Sequence, residues 1–256
     1  MAGEGAGDPE ILVEAQGIAM RFGEQTLFEG VSFTVRRGEI FVILGASGCG
    51  KSTLLKILIG LYPPSSGRAL VLGEELCRLT GRRRLAALSR IGVMWQQGAL
   101  LGSLDVLSNV ALPMEQHTAL PPEAREAIAR AKLGLVGLGD ALRKLPAELS
   151  GGMLKRAGIA RALALDPEVL FLDEPGAGLD PVTSAGLDRL ILTLARESGT
   201  TFVVVTHELA SILAIGDRCV MLDRQARGII AQGDPRRLRE ECDIPAVRAF
   251  FRREAA

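Results

Sequence analysis

Nowhere in these 256 residues does an apolar run approach the ~18 consecutive residues needed to cross a bilayer. Any membrane role therefore has to come through a partner. Net charge is missing too: 30 Lys and Arg balance 30 Asp and Glu, so no global field draws the chain to nucleic acid or to an anionic membrane. The densest basic clusters, Arg82-Arg83-Arg84 and Arg236-Arg237-Arg239, read as solvated faces or loops. Cys49, Cys77, Cys219 and Cys242 are scattered without a C-x-x-C pair. That argues against a disulfide framework and a zinc site, and predicts a reducing cytoplasmic setting. No basic-then-apolar leader opens the chain; residues 1–10 are small and acidic and read as a short disordered tail. What is left is ordinary globular composition, long enough for one large α/β domain with a subdomain or for two small domains.

Into this composition is set the stretch Gly45-Ala46-Ser47-Gly48-Cys49-Gly50-Lys51-Ser52, which fits G-x-x-x-x-G-K-[ST] and is followed by Thr53. An apolar run, Ile40 to Leu44, precedes it as a buried strand, and Leu54, Leu55, Ile57, Leu58 and Ile59 follow with a helical pattern. Glycines let successive N–H groups converge on phosphate oxygens, and the helix N-terminus adds partial positive charge at the same point. Lys51 can reach the β- and γ-phosphates, and Ser52 can place its hydroxyl on Mg²⁺. Cys49 lies in this loop near a helix N-terminus, which lowers the pKa of a thiol. Alkylation is expected to inhibit and the bound nucleoside triphosphate to protect.

Around the loop the chain reads as strands at Ile11 to Ala15, Val31 to Val35 and Glu39 to Leu44. Phe22, a solitary aromatic beside Gly23, suits either stacking on a purine or packing in the core. A strand at Ile91 to Trp95 ends in Gln96-Gln97. An amide at such a tip can orient a water or touch a metal-bound oxygen, although an ordinary strand-to-loop transition looks the same. From Leu104 to Glu148 the pattern is helical, and Pro113, Pro121-Pro122 and Pro146 divide it into about three pieces.

This helical insertion returns at Leu149-Ser150-Gly151-Gly152-Met153, where Ser150 can cap a helix and the paired glycines bare its backbone. It is a second anion site, separate from the first. Val169-Leu170-Phe171-Leu172-Asp173-Glu174 is then a buried strand ending in two carboxylates that face different ways. Asp173 suits Mg²⁺, and Glu174 suits polarising the water that attacks a γ-phosphate. Asp180 and Pro181 take the N-cap and N1 positions of a helix reaching about Ser198. His207 ends the buried strand Thr201 to Thr206, a place that matches Gln96 and Asp173, although a lone histidine is usually structural. Further on come a strand at Arg218 to Leu222, a hairpin to Ile229 to Ala231, and a basic helix opened by Gly233-Asp234-Pro235. Near the end Ile244, Val247, Phe250 and Phe251 form an apolar face that must be buried in its own domain, a second protomer or another subunit.

Together these stretches resemble the ATP-binding cassette ATPases over nearly the whole chain. GASGCGKS resembles the family's Walker A, LSGGM its signature, VLFLDE its Walker B with catalytic Glu, GLD its D-loop and His207 its switch histidine. The resemblance implies an α/β fold: a P-loop NTPase, RecA-like core with an antiparallel β subdomain and an inserted α-helical subdomain. It implies one domain over 11–240, a helical subdomain at about 98–165 and a helical tail at 241–256. Catalysis falls to Glu174, His207 and Gln96. ATP falls to Phe22, Gly45, Ser47, Gly48, Gly50, Lys51, Ser52 and Thr53 of one protomer, closed by Ser150, Gly151, Gly152 and Asp180 of the other. Mg²⁺ falls to Ser52, Gln96 and Asp173.

A narrower similarity runs from Gln96-Gln97-Gly98-Ala99-Leu100-Leu101 through Asn109-Val110-Ala111-Leu112-Pro113 to His117-Thr118-Ala119-Leu120-Pro121, with Met153 and Val247-Arg248-Ala249-Phe250. These stretches are similar to the ATPases of MCE-type lipid transporters, including the Mla system; Leu179 stands where some Mla members have Gln. That similarity implies a homodimer on the cytoplasmic face of the inner membrane, docked on transmembrane permease subunits. An MCE-domain protein and a small STAS-domain protein are the further partners it implies, and nucleic acid is not one. Cassettes that import another solute, or that act on DNA or ribosomes, are the competing classes. The last kind usually carries coiled-coil, zinc or tandem-cassette insertions, which this sequence lacks.

Overall fold

The computed structural model describes residues 10–253. Of the expected disordered tail only Glu10 falls within them, and the last three residues also lie outside. Two sheets organise the rest. Strands β1 (Ile11–Phe22), β2 (Gln25–Arg36) and β4 (Ser66–Val71) form an antiparallel sheet in the order β2-β1-β4. Strands β3 (Ile40–Gly45), β5 (Ile91–Met94), β6 (Val169–Asp173), β7 (Thr201–Val205), β8 (Arg218–Asp223) and β9 (Gly228–Gly233) form the second, in the order β5-β6-β7-β3-β8-β9. The pairs from β5 to β8 are parallel, and β9 closes the edge antiparallel to β8.

The difference between the sheets is legible in the residues. Every residue of β3, β6 and β7 is buried, as a parallel strand covered on both faces requires. In β2, by contrast, Phe28, Val31, Phe33 and Val35 are buried while residues between them reach solvent. The central register sets Ile43 and Asp173 on either side of Val205, so β3, β6 and β7 end level with one another. Their carboxyl ends, where α/β folds place ligands, therefore share one rim.

Helix α1 (Lys51–Leu58) and the antiparallel sheet cover one face of the parallel sheet, through Phe28, Phe33, Phe41, Leu54 and Phe171. The other face carries α3 (Val106–His117), α4 (Pro122–Leu135), α5 (Gly151–Ala162) and α6 (Pro181–Ser198), through Met94, Val110, Leu133, Ile159, Leu172 and Ile191. The molecule is thus an α/β P-loop core with an antiparallel β subdomain and an inserted helical one.

Several local expectations change. β1 runs past Ala15 to Phe22 because irregularities between Ala15 and Ile18 keep it paired, with the Ser32 hydroxyl accepting from the Gly17 N–H at 2.9 Å. Pro113 does not divide the insertion: it sits inside α3, where buried Val106, Leu107, Val110 and Met114 hold the helix together despite one lost backbone hydrogen bond. The Arg82-Arg83-Arg84 cluster lies on α2 (Gly81–Leu88), which has no buried residue. Its Arg84 is anchored, donating to the carbonyls of Leu76 at 2.7 Å and Gly60 at 2.9 Å. A short helix, α7 (Leu209–Ile215), follows His207, and α8 (Pro235–Glu241) is the basic helix. Half of the apolar face of α9 (Pro245–Arg252) packs on its own chain: Val247 and Phe251 are buried with Leu44, Ile212, Cys219 and Met221, while Ile244 is exposed and Phe250 half-buried.

Candidate active site

At the level rim of β3, β6 and β7 the chain turns through Gly45, Gly48 and Gly50, all at positive φ. Gly50, at φ +101°, caps α1 in a conformation closed to other residues, and a Cβ there would stand 2.7 Å from the Phe28 ring. The loop thereby reaches the start of α1 in a tight turn, with the Cys49 N–H donating to the Ala46 carbonyl at 3.4 Å. Lys51 is 7% exposed, and its ammonium donates to the carbonyls of Gly45 at 2.8 Å and Ala46 at 3.1 Å. The Ser52 hydroxyl donates to Asp173 Oδ1 at 3.1 Å. Burial pushes the Asp173 carboxyl up, the Ser52 hydrogen bond pulls it back, and the Glu174 charge raises it further. Hydroxyl and carboxylate form a hard oxygen pair of the kind Mg²⁺ takes, leaving most positions to phosphate and water oxygens. The residues present fit that ion.

Glu174 carries the unusual geometry. Its φ of +47° is strained for a residue with a side chain, a cost of about 1–3 kcal/mol that the surroundings must offset. They do so through its N–H, which donates to the Val205 carbonyl at 2.8 Å, and its carbonyl, which accepts from Ala177. Oε1 lies 2.8 Å from His207 Nδ1, while Oε2 is buried without a hydrogen-bond partner. A concavity of about 320 Å³ brings Glu174, His207 and Gln96 together with Ser47, Gly48, Gly50, Lys51, Ser52 and Thr53. Leu27 joins this wall, and nothing in its sequence setting marks it out.

Other expected residues lie elsewhere. Phe22 is outside that concavity, 54% exposed at the β1–β2 turn. Ser150 caps α5 by accepting from the Met153 N–H at 3.3 Å, with Gly151 exposed and Gly152 buried. Asp180 spends its carboxylate on α6, accepting from the Val182 and Thr183 amides at 3.0 and 3.1 Å, and hydrogen bonds from Thr183 lower its pKa. Beside the concavity a groove of about 800 Å³ runs from Ser47 and His207 past Leu179 and Pro181 to Phe250.

Cys49 corrects the sequence reading. Its side chain turns into the core and is 1% exposed, and burial pushes the thiol up, the opposite of an activated cysteine. Sequence reasoning also passed over Lys155, buried on α5. The available signal was a lysine spaced between Gly152 and Ile159 on the buried stripe of that helix.

A phosphate-binding loop opposite a strand-end carboxylate pair, in a core with a helical insertion, defines a P-loop ATPase of the cassette class. Known proteins place it more narrowly. The ABC transporter family profile matches residues 28–177. "Intermembrane phospholipid transport system ATP-binding protein MlaF" of Escherichia coli K12 is 38% identical over 241 residues, covering 94% of this chain and 88% of that protein. "Probable ribonucleotide transport ATP-binding protein mkl" of Mycobacterium tuberculosis H37Rv is also 38% identical over 241 residues; the match covers 94% of this chain but 66% of the mycobacterial one. Among solved structures, cbiO1 from Clostridium perfringens, part of the ABC transporter complex cbiONQ, superposes with a TM-score of 0.81 at 27% identity, covering 92% of this chain and 93% of that one. A dimeric post-hydrolysis state of the cassette MJ0796, bound to ADP and Pi, gives 0.78 at 29%, covering 87% and 98%. The chain belongs to the ABC transporter family, as one of its ATPases, and its relatives include the Mla type.

Proposed function

We propose that the chain is the ATP-hydrolysing subunit of a lipid transporter, dimerising on ATP beneath transmembrane permease subunits at the cytoplasmic face of the inner membrane. An MCE-domain protein and a small STAS-domain protein complete the assembly. Residues 11–240 form the ATPase domain, its helical subdomain at about 98–165 meets the permease, and 241–256 form a tail. The observation that carries the chemistry is Glu174 Oε2, a buried acceptor without a donor in the concavity that holds Lys51 and Ser52.

The parts divide the work as follows. The loop amides from Gly45 to Thr53 cradle the phosphates, and Lys51 exchanges its carbonyl partners for phosphate oxygens. Phe22 offers a ring face to adenine. Ser52 and Asp173, with the Gln96 amide at the rim, would hold Mg²⁺, which when bound would supply charge neutralisation at the transferring phosphoryl group. Glu174 Oε2 takes the proton of the attacking water, while His207 fixes the carboxylate through Oε1. The Ser150, Gly151 and Gly152 turn of a second copy closes over the γ-phosphate with hydroxyl and helix-terminal amides. Asp180 holds the adjoining turn in shape.

The likeness to a phospholipid-transport ATPase supports the lipid assignment. The relatives named for ribonucleotide transport favour a second reading, an importer of another solute. Capturing the tagged chain from detergent-solubilised native membranes separates them. A permease accompanied by an MCE-domain protein is expected; a permease without one favours the second reading, and no membrane protein overturns both. No helix among the described residues is long and apolar enough to cross a membrane.

A further inference from the structure

One helix grips the loop that carries Gln96 from below. Along α5, Lys155, Gly158 and Arg161 follow one another at intervals of three. Lys155 is 6% exposed; its ammonium donates to the Gln96 carbonyl and, at 3.3 Å, to the Glu174 carbonyl. At Gly158 the loop comes close enough that a Cβ would stand 3.2 Å from Gly98 Cα. Arg161 then donates to the carbonyls of Ala99 at 2.7 Å and Gly98 at 3.1 Å. Gly98 at φ +72° and Ala99 at +49° hold left-handed conformations, so the loop keeps a shape that needs outside support.

A buried ammonium is costly to desolvate, and a structural staple could use a neutral amide. Here the cation joins two backbones that carry chemistry: the Gln96 turn, and the strained residue whose carboxylate faces the concavity. Lys155 sits five residues after Ser150 on the same helix, so a displacement of the Ser150 turn is transmitted through rigid helix to both carbonyls. We propose that Lys155 is a positioning residue, coupling the seating of the Ser150 turn on a second copy's nucleotide to the placement of Glu174 in its own chain. Each site's lid is thereby tied to the other site's base. The inference rests on the hydrolytic role given above to Glu174.

The test is steady-state ATP hydrolysis by the full chain with Lys155→Met, Lys155→Arg and Glu174→Gln, together with ATP affinity and melting temperature. Misplacing the carboxylate by a fraction of an ångström in Lys155→Met should lower kcat about 10- to 100-fold. KM should stay within about twofold, and a Hill coefficient above one in the parent should fall toward one. Lys155→Arg, which keeps a cationic donor, should recover kcat to within about fivefold of the parent. Parental kcat in Lys155→Met, with Glu174→Gln inactive, overturns the coupling and leaves the site intact. Loss of kcat and affinity together, without rescue by Arg, makes Lys155 merely structural and also overturns it. Parental turnover in Glu174→Gln instead removes the reading underneath. Should the Met variant not fold, Lys155→Gln carries the test, with an intermediate kcat expected and a parental one contradicting the proposal.

Discussion

The loop at Gly45 to Ser52 and the turn at Ser150 to Gly152 both present the start of a helix, yet one is walled in and the other is bare. In the loop, Lys51 is buried on two carbonyls, Ser52 is bonded to Asp173, and Glu174 and His207 close the side. At the turn, Ser150 and Gly151 are exposed, and the Ser150 hydroxyl reaches only the Met153 amide of its own helix. A phosphate chain entering the loop meets an enclosure from one molecule. In the proposed function the two helix starts hold unequal roles, the bare one serving as half of a shared site.

The difference can be broken from the cradle side first. Glu174→Gln removes the proton acceptor while keeping the shape, so hydrolysis should fall about 10²- to 10⁴-fold with ATP binding retained, read by turnover and by nucleotide affinity. On the lid side, Ser150→Arg places a bulky cation where the turn must close. Turnover should fall at least about tenfold, while ATP affinity measured on monomer stays within about twofold of the parent. Equal loss of affinity would mean that the turn belongs to its own chain's cradle. Cys49 gives a smaller effect: with its thiol buried and raised, alkylation at neutral pH should be at least about tenfold slower than at half-buried Cys77 and Cys242, with or without ATP. Fast labelling blocked by ATP would restore the activated thiol that the sequence suggested.

The smallest effect lies at the opposite end of the strands, where Glu168 accepts from Arg37 and Arg90, each at 2.7 Å. The Arg37 hydrogen bond leads in lowering the Glu168 pKa, so the pair's contribution is present above the ordinary carboxyl value of 4.5 and is lost as pH falls through the lowered one. Because these side chains are partly exposed, Arg90→Ala should cost less than about 1 kcal/mol at pH 7. The difference from the parent in urea unfolding should shrink on acidification below that value, and kcat should not move.

What could be read ahead of the structure followed from burial. β3, β6 and β7 are buried on both faces, so they appear as unbroken apolar runs, and their tips pointed to Ser52, Glu174 and His207, which line one concavity, and to Asp173, which accepts from Ser52 beside it. Elements with weak burial signals escaped. α2 buries nothing, and the extension of β1 depends on irregular pairing that leaves no period-two trace. Pro113 misled because its cost is met by the buried residues flanking it in α3. Cys49 misled because proximity to a helix start says nothing of which way the side chain turns. The spacing of Lys155 between Gly152 and Ile159 signals its burial but not its partners, which are backbone carbonyls distant in sequence.

The sharing of the site is tested most directly by cross-linking between two differently tagged chains, both carrying Glu174→Gln, one with Ser47→Cys and the other with Ser150→Cys. Oxidation with Mg-ATP should yield a disulfide joining the two tags, and omitting nucleotide should abolish it. A bond formed within one chain, or none between chains at saturating ATP, would contradict the account.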